Sequence, residues 1–151
     1  MGRTGLLEFI AAQSVFIAAL VHLTLGVRGW LRWIQGGFFI PNDFRWPAFV
    51  VSALVIFVGL YVASHRENRR PFYVGGIVVM VGYAVGYFVW HLTGHRPLLV
   101  LGQGAGTEAV SVQWFLDHLF AGPVEFASLF FEIVAVVALA VLLVTVDDGG
   151  S

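Results

Sequence analysis

The sequence predicts an all-α protein, a bundle of four transmembrane helices with an aromatic first loop at the membrane interface and a short interfacial helix before the fourth span. The 151 residues are 59% hydrophobic and 11% charged, with a mean hydropathy of +0.88, whereas soluble proteins are about 25% charged. Four apolar runs are long enough to cross a hydrocarbon core of about 30 Å at about 1.5 Å per residue. Without a repeat or low-complexity tract between them, residues 1–151 are expected to form a single integral membrane domain.

The four spans are predicted at residues 6–27, 47–64, 72–93 and 123–146. In the first span, small and ionisable residues share one helical face: Glu8, Ala11, Val15, Ala18, Ala19, His22, Gly26 and Gly29. Small residues mark the places where membrane helices approach closely, so this face is expected to point into the bundle. The second span, interrupted only by Ser52 and Tyr61, has the composition of plain scaffold.

The segment from Gly29 to Pro47 is predicted to be an interfacial connection. Aromatic and basic side chains are mixed along it: Trp30, Trp33, Phe38, Phe39, Phe44 and Trp46, with Arg28, Arg32 and Arg45. Such side chains suit the headgroup region, where one end of each is apolar and the other is wet. Gly36, Gly37 and Pro41 supply its turns.

The third span has two distinct faces. Glycines lie on one face, at Gly75, Gly82 and Gly86, and larger residues lie opposite, at Tyr73, Met80, Ala84, Tyr87 and His91. Gly82 and Gly86 form a small-xxx-small pattern, which is typical of close helix packing in membranes. We expect this face to dock within the bundle, the alternative being contact with a second copy of the protein.

A long connection follows the third span. Its glycines, Gly102, Gly104 and Gly106, form a flexible bend, because the strand and helix that flank a nucleotide-binding loop are absent. Residues Glu108 to Phe120 are predicted to form an interfacial helix. His118 there, and His65 in the link between the second and third spans, are expected to be surface residues.

In the fourth span the residues Glu125, Leu129, Glu132, Val136 and Leu139 recur at helical spacing. Both carboxylates are therefore expected to face inward. Four spans place both termini on the same side as the link 65–71. That side and the opposite side carry four arginines each, but the cluster of Arg66, Arg69 and Arg70 favours a multi-pass protein of the cell membrane with cytoplasmic termini.

This topology brings His22, His91, Glu125 and Glu132 into the same half of the membrane. At about 1.5 Å per residue, His22 lies roughly 8 Å and Glu132 roughly 4 Å from the midplane. An unpaired charge near the centre of the bilayer costs about 2.5–3.5 kcal/mol. Glu132 therefore needs a partner, and His22 is the nearest candidate.

Three roles are open to this cluster. His22, His91 and Glu132 could bind a cofactor such as haem b, or these three together with Glu125 could hold a divalent metal ion. The same residues could instead relay protons, as in pumps and quinone-linked subunits. The histidines could also serve only as hydrogen-bonding partners between helices. The spacing of His91 and His95 lacks the glutamate of a hydrolytic HExxH zinc motif.

Several functional classes are excluded or disfavoured. The absence of cysteine excludes disulfides, thiolate metal sites and thiol catalysis. A net charge of −1 gives no basic surface for nucleic acid, and neither Ser14 nor Ser52 lies in a nucleophile elbow. The sequence thus favours a non-catalytic subunit or a small scaffold or binding protein, in contact with membrane lipid and with other membrane subunits or a second copy. The alternative is a redox-active or proton-handling subunit that uses the His/Glu cluster with haem, metal or quinone.

Overall fold

The structure, a computed structural model, describes residues 3–41, 43–92, 111–120 and 122–148. These residues form helices and connections without a strand: α1 (Arg3–Gln35), α2 (Arg45–Ser64), α3 (Arg70–Leu92), α4 (Val112–Leu119) and α5 (Pro123–Asp148). Four of the helices, all except α4, are long and apolar enough to cross a membrane. The predicted all-α class with four candidate spans is therefore confirmed. The glycine-rich bend predicted after the third span lies outside the described residues.

Helix α1 is longer than predicted and takes up the first part of the expected aromatic connection, which begins only at Gly36. It ends before Gly37, whose φ of 87° is a conformation that glycine adopts readily. The Gly37 N–H donates to the Ile34 carbonyl at 3.0 Å and the Phe38 N–H to the Trp33 carbonyl at 2.9 Å, the two bonds of a Schellman end. A helix of 33 residues is about 50 Å long, so its last turns extend beyond a hydrocarbon core of about 30 Å.

The aromatic connection is tied to the helices on both sides of it. The Trp30 indole donates to the Phe39 carbonyl at 3.0 Å. Asp43 accepts the Arg45 backbone N–H at 3.1 Å and also pairs with the Arg45 guanidinium. That guanidinium lies 3.1 Å from the centroid of the Trp90 ring, a cation–π contact. The start of α2 is thereby held against the end of α3.

Helix α1 packs against α2 and α5, and α3 packs mainly against α5. The buried core is made largely of small residues where α1 meets its neighbours and of larger ones elsewhere: Ala11, Val15, Ala18, Ala19, Met80, Ala135 and Leu142. The small-residue face of the first span therefore points inward as predicted. On α5, Leu129, Glu132 and Leu139 are buried, which confirms the inward face of the fourth span.

The face of α3 that turns inward is the opposite of the one predicted to pack. A Cβ atom added at three of its glycines would meet no described atom within 4 Å: Gly75, Gly82 and Gly86. Met80, on the other face, is fully buried. The expectation that Gly82 and Gly86 dock within the bundle is wrong for the described part of the chain, because α3 turns the face that carries Met80 into the bundle. Close approach occurs instead at Gly76, where an added Cβ would lie 2.8 Å from a Leu139 methyl carbon. Contact with a second copy through Gly82 and Gly86 remains a prediction.

Candidate functional site

A histidine and a glutamate meet inside the bundle. His22 of α1 is 6% exposed and Glu132 of α5 is 2% exposed, and His22 Nε2 lies 3.6 Å from Glu132 Oε1. Ser128, one turn earlier on α5, donates its hydroxyl to the same oxygen at 2.7 Å. The structure thus brings together the two residues that the sequence paired by their depth in the membrane.

The position of one proton on His22 follows from its second ring nitrogen. Nδ1 lies 2.9 Å from the Ala18 carbonyl oxygen, and a carbonyl only accepts, so Nδ1 carries hydrogen. In the neutral ring Nε2 is then an acceptor, and it donates only when the ring is charged. A bond between His22 and Glu132 therefore requires one further proton, held either by the carboxyl group or by Nε2. The other carboxyl oxygen of Glu132 is buried and has no hydrogen-bond partner among the described residues.

Aromatic rings fix the orientation of the His22 imidazole. The Tyr83 ring stacks on it, with centroids 3.6 Å apart and planes at 9°, and the Phe49 ring meets it edge-on at 4.7 Å. The Tyr83 hydroxyl lies 2.6 Å from Ser52 Oγ, which itself donates to the Ala48 carbonyl at 2.7 Å. Tyr83 is therefore the donor to Ser52. These contacts position the imidazole from α2 and α3 together.

Two hydroxyl groups of this site were missed by sequence reasoning. Ser52 lies in the span that was interpreted as plain scaffold, and Ser128 was not assigned a role. The sequence feature that could have identified them is a single hydroxyl residue inside an otherwise apolar run, since such groups in membranes usually hydrogen-bond to a neighbour.

The close approach of α2 to α1 beside the site depends on Gly26. A Cβ atom at this position would lie 2.8 Å from the Trp46 carbonyl oxygen and 3.0 Å from Phe49 Cβ. The missing side chain therefore leaves the space in which the backbone of α2 lies. This approach is what lets the Phe49 ring reach His22.

A second cluster of rings surrounds His91 at the end of α3. His91 is 4% exposed, and its Nδ1 lies 2.8 Å from the Tyr87 carbonyl oxygen. Its ring centroid is 4.8 Å from that of His118 and 6.0 Å from that of Trp114, and the last two rings stack at 5.0 Å. His118, expected to be a surface residue, is half-buried, because its ring lies against that of His91 on α3.

Tyr87 stands between this cluster and the buried pair. Its ring centroid is 4.0 Å from that of His91, and it lies one helical turn from Tyr83, which stacks on His22. Glu125 is half-buried in the first turn of α5, where a carboxylate is favoured by the helix dipole. Polar groups therefore extend from α4 to the His22–Glu132 pair.

No family model, curated protein or solved structure matches this chain. The roles of its residues are consequently argued from their geometry. Within residues 3–41, 43–92, 111–120 and 122–148, no three or more His, Asp or Glu residues are grouped so as to hold a metal ion. The structure divides the predicted set: His22 pairs with Glu132, His91 lies in the ring cluster at the end of α3, and Glu125 lies in the first turn of α5. Binding of haem b or of a metal by these residues remains a prediction.

We expect the ring of Tyr83 to contribute more to the stability of the fold than its hydroxyl group does. Tyr83→Phe keeps the stack on His22 and loses one interhelical hydrogen bond, which in membranes contributes about 0.6 kcal/mol. Tyr83→Ala also removes the ring, and we expect a loss of about 3 kcal/mol in the free energy of unfolding. Denaturation of both variants in mixed micelles measures the difference. Equal losses would show that the hydroxyl bond, and not the stacked ring, holds the site.

Proposed function

We propose that this protein is a non-catalytic membrane subunit that holds one proton on the His22–Glu132 pair and exchanges it with water on the α4 side of the membrane. The observation that carries the proposal is the hydrogen bond of His22 Nδ1 to Ala18, which leaves only Nε2 to face the carboxyl group at 3.6 Å. The four long apolar helices support a multi-pass membrane protein.

The His22–Glu132 pair has no net charge when it holds one exchangeable proton, so this protonation state is the stable one. With the proton on Glu132, both groups are neutral, and with the proton on His22, the two charges cancel. Removing that proton leaves a net negative charge in the membrane interior and adding another leaves a positive one, both of which are costly there.

The distribution of polar groups favours exchange with one side only. Towards α4, residues with polar groups follow one another from the His22 ring: Tyr83, Tyr87, His91 and His118. In the other half of the bundle the described interior is mainly apolar, with Ala11, Val15, Met80 and Leu142 buried, and its buried hydroxyl groups belong to Ser14 and Tyr73. This arrangement supports a proton well that opens to one side and does not support a continuous path across the membrane.

The arginines of the link 65–71 favour the cytoplasm for that link and for both termini. The α4 side would then face away from the cytoplasm. In that orientation the pair would take its proton from the outer side and would serve a partner that needs a proton within the bilayer. In the alternative functions the same residues bind haem, a metal ion or quinone. An absorption spectrum of the purified protein tests haem binding, and a metal assay tests metal binding.

Infrared difference spectroscopy of the protein in vesicles of uniform orientation tests the proposal. We expect a carboxyl band that changes when the pH is stepped on the α4 side and not when it is stepped on the other side. The band should be absent in Glu132→Gln and present in Glu125→Gln, which serves as the control carboxyl variant on the same helix.

Three other results would refute a one-sided proton well. A band that follows the pH of either side equally would indicate a path through the whole bundle. A band that is lost in Glu125→Gln and kept in Glu132→Gln would assign the titration to Glu125, in the first turn of α5. A Glu132 carboxyl group that never titrates would leave the pair with a structural role alone.

A further inference from the structure

A cleft of about 660 Å³ lies between α1, α2 and α3, at the end of the bundle that carries the link 65–69, with Leu139 and Leu142 of α5 also lining it. Many of its lining residues are small: Gly5, Ala11, Gly59, Ala63, Gly75 and Gly76. Because α2 and α3 make few contacts with each other, the cleft is not closed between them. It lies in the half of the bundle away from His22 and Glu132, so it is a separate feature.

The cleft has a polar rim at one end. There Arg69 Nη1 lies 2.8 Å from Glu8 Oε2, and the Tyr73 hydroxyl donates to Glu8 Oε1 at 3.0 Å. The hydrogen bond to Glu8 raises the pKa of the Arg69 guanidinium, so the guanidinium remains charged. Arg69 and Glu8 are the charged residues among those that line the cleft, and the adjoining link places Arg66 and Arg70 near Arg69 in the sequence.

The cleft matches a lipid in both of its parts. Its walls belong to helices that are apolar enough to span a membrane, and its volume lies within the range of about 300–1,000 Å³ that is typical of ligand pockets. In a bilayer an apolar cleft of this kind takes up a hydrocarbon chain in preference to water. A chain lying in it would place its headgroup at the rim, beside the Arg69 guanidinium, whose N–H groups that are not directed at Glu8 can donate to phosphate.

We propose that this cleft binds one chain of an anionic phospholipid, whose phosphate lies against Arg69 and shares the guanidinium with Glu8. The arginines of the link 65–71 favour the anionic headgroup, and the small residues of α2 and α3 admit the chain. The site requires no proton on the His22–Glu132 pair and is independent of the proposed function.

Substitutions that fill the cleft test whether the lipid chain lies in it. A Cβ atom at Gly59 or at Gly75 would meet no described atom within 4 Å, so Gly59→Leu and Gly75→Leu add side chains to the cleft without a backbone clash. Gly82→Leu is the matched control, because Gly82 is equally open but does not line the cleft. Native mass spectrometry of the detergent-purified protein with added phosphatidylglycerol measures the bound lipid.

We expect the wild type and Gly82→Leu to retain one phosphatidylglycerol. The two cleft variants should bind it about tenfold more weakly, the factor that corresponds to roughly two methylene groups kept out of the cleft. Unchanged binding in both cleft variants, or an equal loss in Gly82→Leu, would overturn the proposed place of the chain.

The headgroup is tested with phosphatidylcholine of the same chains. The wild type should prefer phosphatidylglycerol, and Arg69→Gln should lose that preference while still binding phosphatidylcholine. Arg28→Gln, an arginine at the other end of α1, should keep it. Equal binding of both lipids by the wild type would overturn the role of the rim.

Discussion

Replacement of His22 by alanine is expected to lower the free energy of unfolding by about 3 kcal/mol, since a buried ring and the polar partner of the Glu132 carboxyl group are both lost. In the variant, the Glu132 carboxyl group would retain the Ser128 hydroxyl as its described hydrogen-bond donor. The ring surface packed on Tyr83 and Phe49 would also be lost. The lost polar contact and the lost ring packing therefore both lower the free energy of unfolding.

Glu132→Gln separates these two contributions. The amide has the shape of the carboxyl group, and a nitrogen at the Oε1 position can direct one hydrogen to His22 Nε2 and the other to Ser128 Oγ, so that the Ser128 hydroxyl becomes an acceptor. We therefore expect a smaller loss than in the alanine variant, about 1 kcal/mol. The variant keeps the bundle folded and removes the exchangeable proton, which makes it suitable for the infrared experiment.

Unfolding in mixed micelles of wild type, His22→Ala, Glu132→Gln and the double variant provides the measurement. Residues in direct contact are coupled by about 0.5–3 kcal/mol in such a cycle. Thr24→Ala on the same helix is the control, because Thr24 is exposed and bonds only to its own helix at the Leu20 carbonyl. Additivity within about 0.5 kcal/mol would show that His22 and Glu132 do not interact.

The second large effect is expected at Gly26, where Gly26→Val should destabilise the bundle by about 3 kcal/mol. The first atom that the new side chain meets is the Trp46 carbonyl oxygen, at 2.8 Å from Cβ. This is a backbone atom, so α2 itself must move away from α1. The same movement would withdraw the Phe49 ring from His22.

Gly82→Ala is the control for this substitution. Its Cβ would meet no described atom within 4 Å, and alanine is favoured over glycine inside a helix by about 0.5–1 kcal/mol. Chemical denaturation in micelles should thus show a clear loss for Gly26→Val and no loss for Gly82→Ala. Similar behaviour of the two variants would refute close packing of α1 on α2 at Gly26.

Much of the fold could be predicted because each span is long, apolar and bounded by local signals. The second span ends at Ser64 in both the prediction and the structure. The inward faces of α1 and α5 were predictable because small residues in one and carboxylates in the other recur at helical spacing. The partnership of His22 with Glu132 followed from counting residues from the ends of their spans.

Other features depended on neighbours that are distant in the sequence. The third span has two faces that are each able to pack, and only the approach of α5 at Gly76 decides which one turns inward. The environment of His118 likewise depends on where α4 lies against the end of α3. Neither relation is encoded within about four residues along a helix, which is the reach of local periodicity.

The sequence by itself determined four apolar segments, the faces of the first and last of them, and the depth at which His22 and Glu132 lie. These properties follow from the solvent, because a bilayer accepts only long apolar helices with satisfied backbones. Only the tertiary structure decided that His22 bonds to Ala18 and faces Glu132, that Tyr83 and Ser52 support the ring, and that a cleft is left between α2 and α3. Side-chain contacts across helices depend on rotation and separation, which composition and periodicity do not specify.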